Sequence, residues 1–166
     1  MKTRILPVAS LFTCFFLLLT AWPGRAQTEK APEFRPNIYD ESADGSKQIA
    51  DALVTAKNEQ KHVLLQLGAN WCSWCHTLHT LLQTDKGVAE KLKDNYVLVM
   101  IDVNKEHNKA TDEKYGRPTD LGMPVFVVLD ADGKQLTTQE TGSLEEGDHH
   151  NSEKVMAFLE KWAPKK

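Results

Sequence analysis

The stretch His62-Val63-Leu64-Leu65-Gln66-Leu67-Gly68-Ala69-Asn70-Trp71-Cys72-Ser73-Trp74-Cys75-His76 decides the reading of this chain. It joins a short apolar run over His62 to Leu67, the pattern of a buried strand, to two cysteines with two residues between them. Leu78, Leu81 and Leu82 follow at helical spacing, so the cysteines fall at a strand-to-helix turn. At such a turn the first thiol sits at the helix N-terminus, where unpaired N–H groups and the helix dipole stabilise a thiolate. The second thiol lies one turn inward, within reach of a disulfide. Cys72 is therefore read as the attacking thiol and Cys75 as the resolving one.

Upstream, Ile49, Ala52, Leu53 and Ala56 recur at helical spacing and predict a helix over residues 46–60 with a Ser or Asp cap. Residues 27–45 are polar, carry Pro32 and Pro36, and read as an extended leader with Phe34 and Tyr39 as anchoring points. Downstream of the Leu78 helix, the pattern breaks at residues 85–87 and resumes as a shorter helical piece through Val88 and Leu92. Residues 97–101 are apolar without alternation and predict a second, fully buried strand over 96–103. A helix or loop over 105–115 and a connector over 117–122 lead to Met123-Pro124 and a third strand, 125–129. Asp132-Gly133 signals a tight turn into a fourth strand, 135–140. Val155, Phe158, Leu159 and Trp162 mark a last helix, capped by Asn151 or Ser152 and ended by Pro164. Strands alternating with helices predict a largely parallel sheet, to which the hairpin adds an antiparallel edge.

Residues 1–26 have the pattern of a secretory signal. Lys2 and Arg4 lead, Leu11 to Ala21 is almost wholly apolar, and Gly24-Arg25-Ala26 offers small residues for cleavage after Ala26. An uncleaved membrane anchor, counted from Ile5 to Trp22, is the other reading, against which Pro7 interrupts the run. Cys14 leaves with this segment if it is cleaved. The remaining 140 residues suffice for one domain, taken as residues 46–166. All 23 acidic residues but only 17 of the 20 Lys and Arg follow position 26, a net charge of −6 with no basic cluster, which argues against nucleic acid as a partner. A single close cysteine pair is also unlike the several spaced cysteines of a disulfide-stapled scaffold.

With these elements in place the chain resembles the secreted thioredoxin-like group of the thioredoxin superfamily. The resemblance is carried by Gly68-Ala69-Asn70-Trp71-Cys72-Ser73-Trp74-Cys75 and by Gly122-Met123-Pro124 ahead of a strand, and it covers roughly residues 46–162. It implies an α/β thioredoxin fold, a central mixed sheet of about four to five strands flanked by helices. It further implies a solvent-exposed Cys72 that forms a mixed disulfide, a more buried Cys75 that resolves it, and a cis Pro124 beside the pair. The backbone of Met123 would pair with substrate, Trp71 would shield the thiols and offer a flat contact, and Trp74 would be a further aromatic contact. The function implied is a thiol:disulfide oxidoreductase outside the cytoplasm, with the periplasm as the expected compartment. It needs no bound cofactor, and its partners are protein or small-molecule thiols and disulfides together with a redox partner. A membrane enters only if the leading segment stays uncleaved. Two residues depart from the pattern. Gln66 stands where thioredoxins carry a buried acid that helps move the proton of the second cysteine, and an amide is no general base. Met100 stands where the neighbouring strand usually carries Lys.

Other chemistries share these residues. Cys72, Cys75 and His76 match the attachment pattern of a c-type haem in an electron-transfer protein, with Met100 or Met123 as a second axial ligand. Cys72, Cys75, His76 and His79 are a set of zinc-ligand types, although structural zinc sites normally draw two ligands from each of two separated segments. A non-catalytic binding protein on the same fold is a further alternative. His76 reads most simply as a polar residue in a first helical turn and His79 as a helix-surface side chain. Asp148-His149-His150 with Glu145 and Glu146 reads as an acidic solvated loop, and Asp130-x-Asp132-Gly133 as a hairpin turn and not the start of a calcium loop.

Overall fold

The computed structural model describes residues 35–165; the expected signal segment, Cys14 and Phe34 lie outside them. Helix α1 (Gly45–Glu59) starts where the Asp44 carboxylate accepts from the Ser46 and Lys47 N–H groups. Strand β1 (His62–Gly68) follows. Helices α2 (Ser73–Thr84) and α3 (Lys86–Asn95) are separated at Asp85, whose side chain caps α3 by accepting from the Val88 N–H at 3.0 Å. Strand β2 (Tyr96–Asp102), the six-residue helix α4 (Lys109–Lys114), and strands β3 (Val125–Leu129) and β4 (Gln135–Glu140) come next. A two-stranded ribbon, β5 (Glu145–Glu146) and β6 (His149–His150), precedes α5 (Ser152–Trp162), which Asn151 caps.

The four long strands form one mixed sheet in the order β2-β1-β3-β4. Along β1 and β3 the two faces alternate. Val63, Leu65, Leu67, Val125, Val127 and Leu129 pack with Ile49, Ala52 and Ala56 of α1. Leu64, Phe126 and Val128 pack with α2, α3 and α5 through Leu78, Leu82, Val88, Phe158 and Leu159. Because helices cover both faces, these strands read as unbroken apolar runs. β2 is an edge strand, and several of its side chains stay half-buried where the sequence implied full burial.

The sheet is less parallel than the alternation of strands and helices implied. Only β1 and β2 run parallel; β3 is antiparallel to β1, pairing Val125 with Leu67, and β4 is antiparallel to β3. Length explains the difference. A parallel return needs an element that travels back along the sheet, and a seven-residue strand is ~23 Å long, whereas the six residues of α4 span only ~9 Å. The β2–β3 connection therefore stays at the end of the sheet where β1 also finishes, and delivers Pro124 beside the Cys72 turn.

The Asp132-Gly133 turn is a hairpin, as read. The Asp130 carboxylate accepts from the N–H groups of Asp132 and Lys134, and Gly133 has φ 85°. Phe126 is fully buried and stacked on Phe158 at 5.5 Å between ring centroids. Phe126→Ala is expected to cost about 3–5 kcal/mol of stability, read as a lower urea midpoint with an unchanged denaturant slope.

Candidate functional site: the Cys72–Cys75 pair and its surroundings

β1 ends at Gly68, Ala69 to Trp71 turn the chain, and Cys72 becomes the N-cap of α2. Its sulfur accepts a hydrogen bond from the Cys75 N–H at 3.1 Å, so an amide that has no partner inside the helix is aimed at sulfur. Cys72 and Cys75 are joined as a disulfide with their Cα atoms 5.3 Å apart. Cys75 is fully buried and Cys72 retains 6 % exposure. The first cysteine is thus more covered than the exposed thiol the resemblance implied, because Tyr39, Ile38, Trp74, Met100 and Met123 gather around the pair.

Two segments distant in sequence complete this wall. The Met123–Pro124 bond is cis, and the turn before it rests on Gly122 with φ 105°, a conformation that favours glycine. The other segment is the N-terminal one, held by Asn70. The Asn70 carbonyl oxygen accepts from the N–H groups of Ile38 and Tyr39, each at 2.9 Å, while its amide donates to the Tyr39 carbonyl at 3.0 Å and the Glu41 carboxylate at 2.8 Å. That clamp drives Tyr39 inward. A Cβ added to Gly68 would collide with both the Tyr39 hydroxyl and the Cys75 sulfur, so the missing side chain is what lets phenol and thiol approach.

Gln66 is fully buried on the same face of β1. Its amide donates to the Tyr39 hydroxyl at 3.0 Å and to the Cys75 carbonyl at 3.4 Å. Met100 is its partner in register on β2 and packs on the cysteine cluster. Burial pushes the Tyr39 phenol up from its ordinary value, against the opposing hydrogen bond from Gln66, and the charge of Asp102 adds to the rise.

The aromatic residues divide. Trp71 is 67 % exposed, and its indole N–H donates to Asn104 at 3.0 Å, so it stands out in solvent and leaves the shielding of the pair to others. Trp74 is half-buried and meets the ring of His150 edge-on at 5.4 Å. That contact corrects the reading of 145–150 as a solvated loop: β5 and β6 pair there and His150 is buried, because α2 needs a cover on this side. Burial pushes His150 down to about 4 and also lowers His79, whose ring is partly buried and not a free surface group.

The haem and zinc readings lose their geometry. The Nε2 of His76 turns back to the Asn70 carbonyl at 2.7 Å, which makes it the protonated nitrogen and withdraws it from iron. Among the described residues no group of three or more His, Cys, Asp or Glu side chains is placed to hold a metal ion. A cavity of about 390 Å³ lies beside Met123, with Val103, His107, Lys109 and Arg117 also in its lining.

A family model described as thioredoxin-like domain matches residues 49–149. The chain belongs to that thioredoxin-like family. A disulphide isomerase from Xylella fastidiosa Temecula1 is similar in structure with a TM-score of 0.68 and 32 % identity, over 76 % of this chain and 96 % of that one. The C-terminal domain of DsbD from Neisseria meningitidis, in its oxidised form, shares the fold with a TM-score of 0.53 at 22 % identity, over 72 % of this chain and 97 % of that one. Among curated proteins, the thiol:disulfide interchange protein DsbD of Actinobacillus pleuropneumoniae is 34 % identical over 90 residues, 53 % of this chain but 15 % of that protein. The chain therefore spans only a small part of that relative.

Within this thioredoxin-like domain the structure brings Cys72, Cys75, Trp74, Met123 and Pro124 together and leaves Trp71 at the rim. Sequence reasoning passed over Asn70, Asp102 and His107. The available signals were a polar residue inside the turn and an acid closing the apolar run of β2. His150 makes stability depend on pH. The unfolded chain takes up its proton near pH 6.5 and the folded protein only near about 4, so this contribution to stability is complete above pH 6.5 and is lost as the pH falls toward 4. The urea midpoint of the wild type is expected to drop across that window, and the drop should be smaller in His150→Gln.

Proposed function

We propose that this domain is a thiol:disulfide oxidoreductase acting on protein or small-molecule thiols outside the cytoplasm. The observation that carries the reading is the Cys72–Cys75 disulfide at the first turn of α2, with the Cys75 N–H on the Cys72 sulfur at 3.1 Å. An amide and a helix N-terminus favour negative charge at that sulfur once the bond is opened, and the thiolate is the nucleophile in disulfide exchange. The names of the relatives, a disulphide isomerase and a thiol:disulfide interchange protein, support the same chemistry.

In the reducing direction the Cys72 thiolate attacks one sulfur of a substrate disulfide, and the other sulfur leaves as a thiolate. Cys75, as a thiolate, then attacks Cys72, forming the intramolecular disulfide and releasing the second substrate thiolate. Two electrons pass from the cysteine pair to the substrate, and a redox partner returns the pair to its starting state. The oxidising direction is the reverse. No cofactor takes part.

Met123, Pro124 and Trp74 form the wall against which a substrate chain would lie, and exposed Trp71 and Leu121 flank it as apolar contacts. The signal pattern of residues 1–26 supports export. No helix among the described residues is long and apolar enough to cross a membrane.

The test is disulfide exchange with oxidised glutathione, followed by alkylation of free thiols. Cys72→Ser is expected to reduce exchange to background, whereas Cys75→Ser should accumulate a mixed disulfide on Cys72 that mass spectrometry identifies. Undiminished exchange by Cys72→Ser would end the assignment.

A further inference from the structure

A side-chain amide has two donor hydrogens and two acceptor lone pairs, and Asn70 directs all of them to one short segment. Its oxygen accepts from the N–H groups of Ile38 and Tyr39, and its nitrogen donates to the Tyr39 carbonyl and the Glu41 carboxylate. These partners lie 29 to 32 positions upstream of the turn that carries Cys72. The residue therefore couples the N-terminal segment to the cysteine pair and to nothing else through its side chain.

The segment is attached in an unusual way. Residues 35–43 belong to no helix or strand, and their one backbone–backbone hydrogen bond among the described residues is internal, from the Ala43 N–H to the Asp40 carbonyl at 3.2 Å. Side chains of the domain make the other ties. Asn108, at the start of α4, accepts from the Gly45 N–H at 2.8 Å and donates to the Ala43 carbonyl at 3.2 Å, which fixes the base of the segment where α1 begins. Gln66 donates to the Tyr39 hydroxyl at 3.0 Å, and Asn70 holds residues 38–41 between those points.

Of residues 35–42 only Ile38 and Tyr39 turn inward, and both pack on the Cys72–Cys75 cluster. The other walls of the pair are built into the fold, since Trp74 is part of α2 and Pro124 leads directly into β3. A segment joined to the sheet by no ladder bond can open while the sheet stays intact, at the expense of its side-chain bonds and of the Ile38 and Tyr39 contacts. It is the one wall of the pair that can leave alone.

We propose that Asn70 is a specificity-determining residue. By pinning residues 38–41 it holds a cover over the cysteine pair that admits small-molecule disulfides and turns away protein disulfides until the segment swings out on its base at Asn108. The proposal rests on the dithiol-exchange reading and names the substrate class within it. Cys72, the attacking sulfur, keeps 6 % exposure with the cover in place. A flexible low-molecular-weight disulfide can thread to a sulfur so placed, whereas a disulfide held inside a protein brings its surrounding chain against Ile38 and Tyr39. Asn70 acts through the segment and has no part in the exchange of sulfur bonds.

The experiment compares two disulfides of different bulk. Reduced intact protein carrying Cys75→Ser is mixed with oxidised glutathione or with insulin, and mass spectrometry with peptide mapping follows the mixed disulfide on Cys72. Adding Asn70→Ala is expected to raise the rate with insulin by about tenfold or more and the rate with oxidised glutathione by less than about threefold. Ile38→Ala, which thins the cover and leaves the turn before Cys72 untouched, should shift the ratio of the two rates in the same direction and carries the test if Asn70→Ala does not fold. An unchanged insulin rate in the folded variants, or an equal rise with both disulfides, would overturn the proposal. Failure of the Cys75→Ser protein to form an adduct with either disulfide would instead overturn the dithiol-exchange reading itself.

Discussion

The structure depends on a strand buried on both faces that ends in the first turn of a helix. β1 has no solvent-facing side, since alternate residues pack on α1 and on α2, α3 and α5. Its position is therefore fixed by the whole core, and the chain leaves it at Gly68 with almost no freedom of direction. Cys72 then becomes an N-cap, and the helix supplies an amide to its sulfur. A thiol on a mobile loop would have neither the fixed partner one turn inward nor the aligned N–H, and both are required for a pair that opens and closes repeatedly.

The wall around this pair is made by topology. β3 runs antiparallel to β1, so it starts where β1 ends, and the cis Met123–Pro124 bond arrives beside the sulfur atoms. The N-terminal segment is pinned by four hydrogen bonds to the side chain of Asn70, two residues before Cys72. Its Tyr39 enters space that Gly68 leaves free. On the remaining side the β5–β6 ribbon presses His150 against Trp74. Each of the three covers comes from a different part of the chain and meets the same short turn.

Electrostatics follow from that enclosure. Polar groups beneath the pair are buried Gln66, Tyr39 and Asp102, and none of them reaches bulk water directly. A carboxylate is absent from the β1 position and present on β2, two residues beyond Met100. Burial raises the Tyr39 phenol and lowers His150, so the cover around the pair also carries a pH-sensitive contribution to stability.

The strands, the main helices and the redox pair were legible in the sequence because they are local. Apolar runs, helical spacing around Leu78 and Phe158, the Asp132-Gly133 turn and the Cys72–Cys75 spacing each declare themselves over a short stretch of chain. The departure at Gln66 was legible too, since an amide in an apolar strand is conspicuous. The direction of β3, the cover supplied by Tyr39 and His150 and the outward turn of Trp71 were decided by tertiary structure alone. They join residues far apart in the chain, as Tyr39 and Gln66 are at 27 positions, and the period-2 pattern that assigns a side chain to a face of its strand does not say which strand lies alongside.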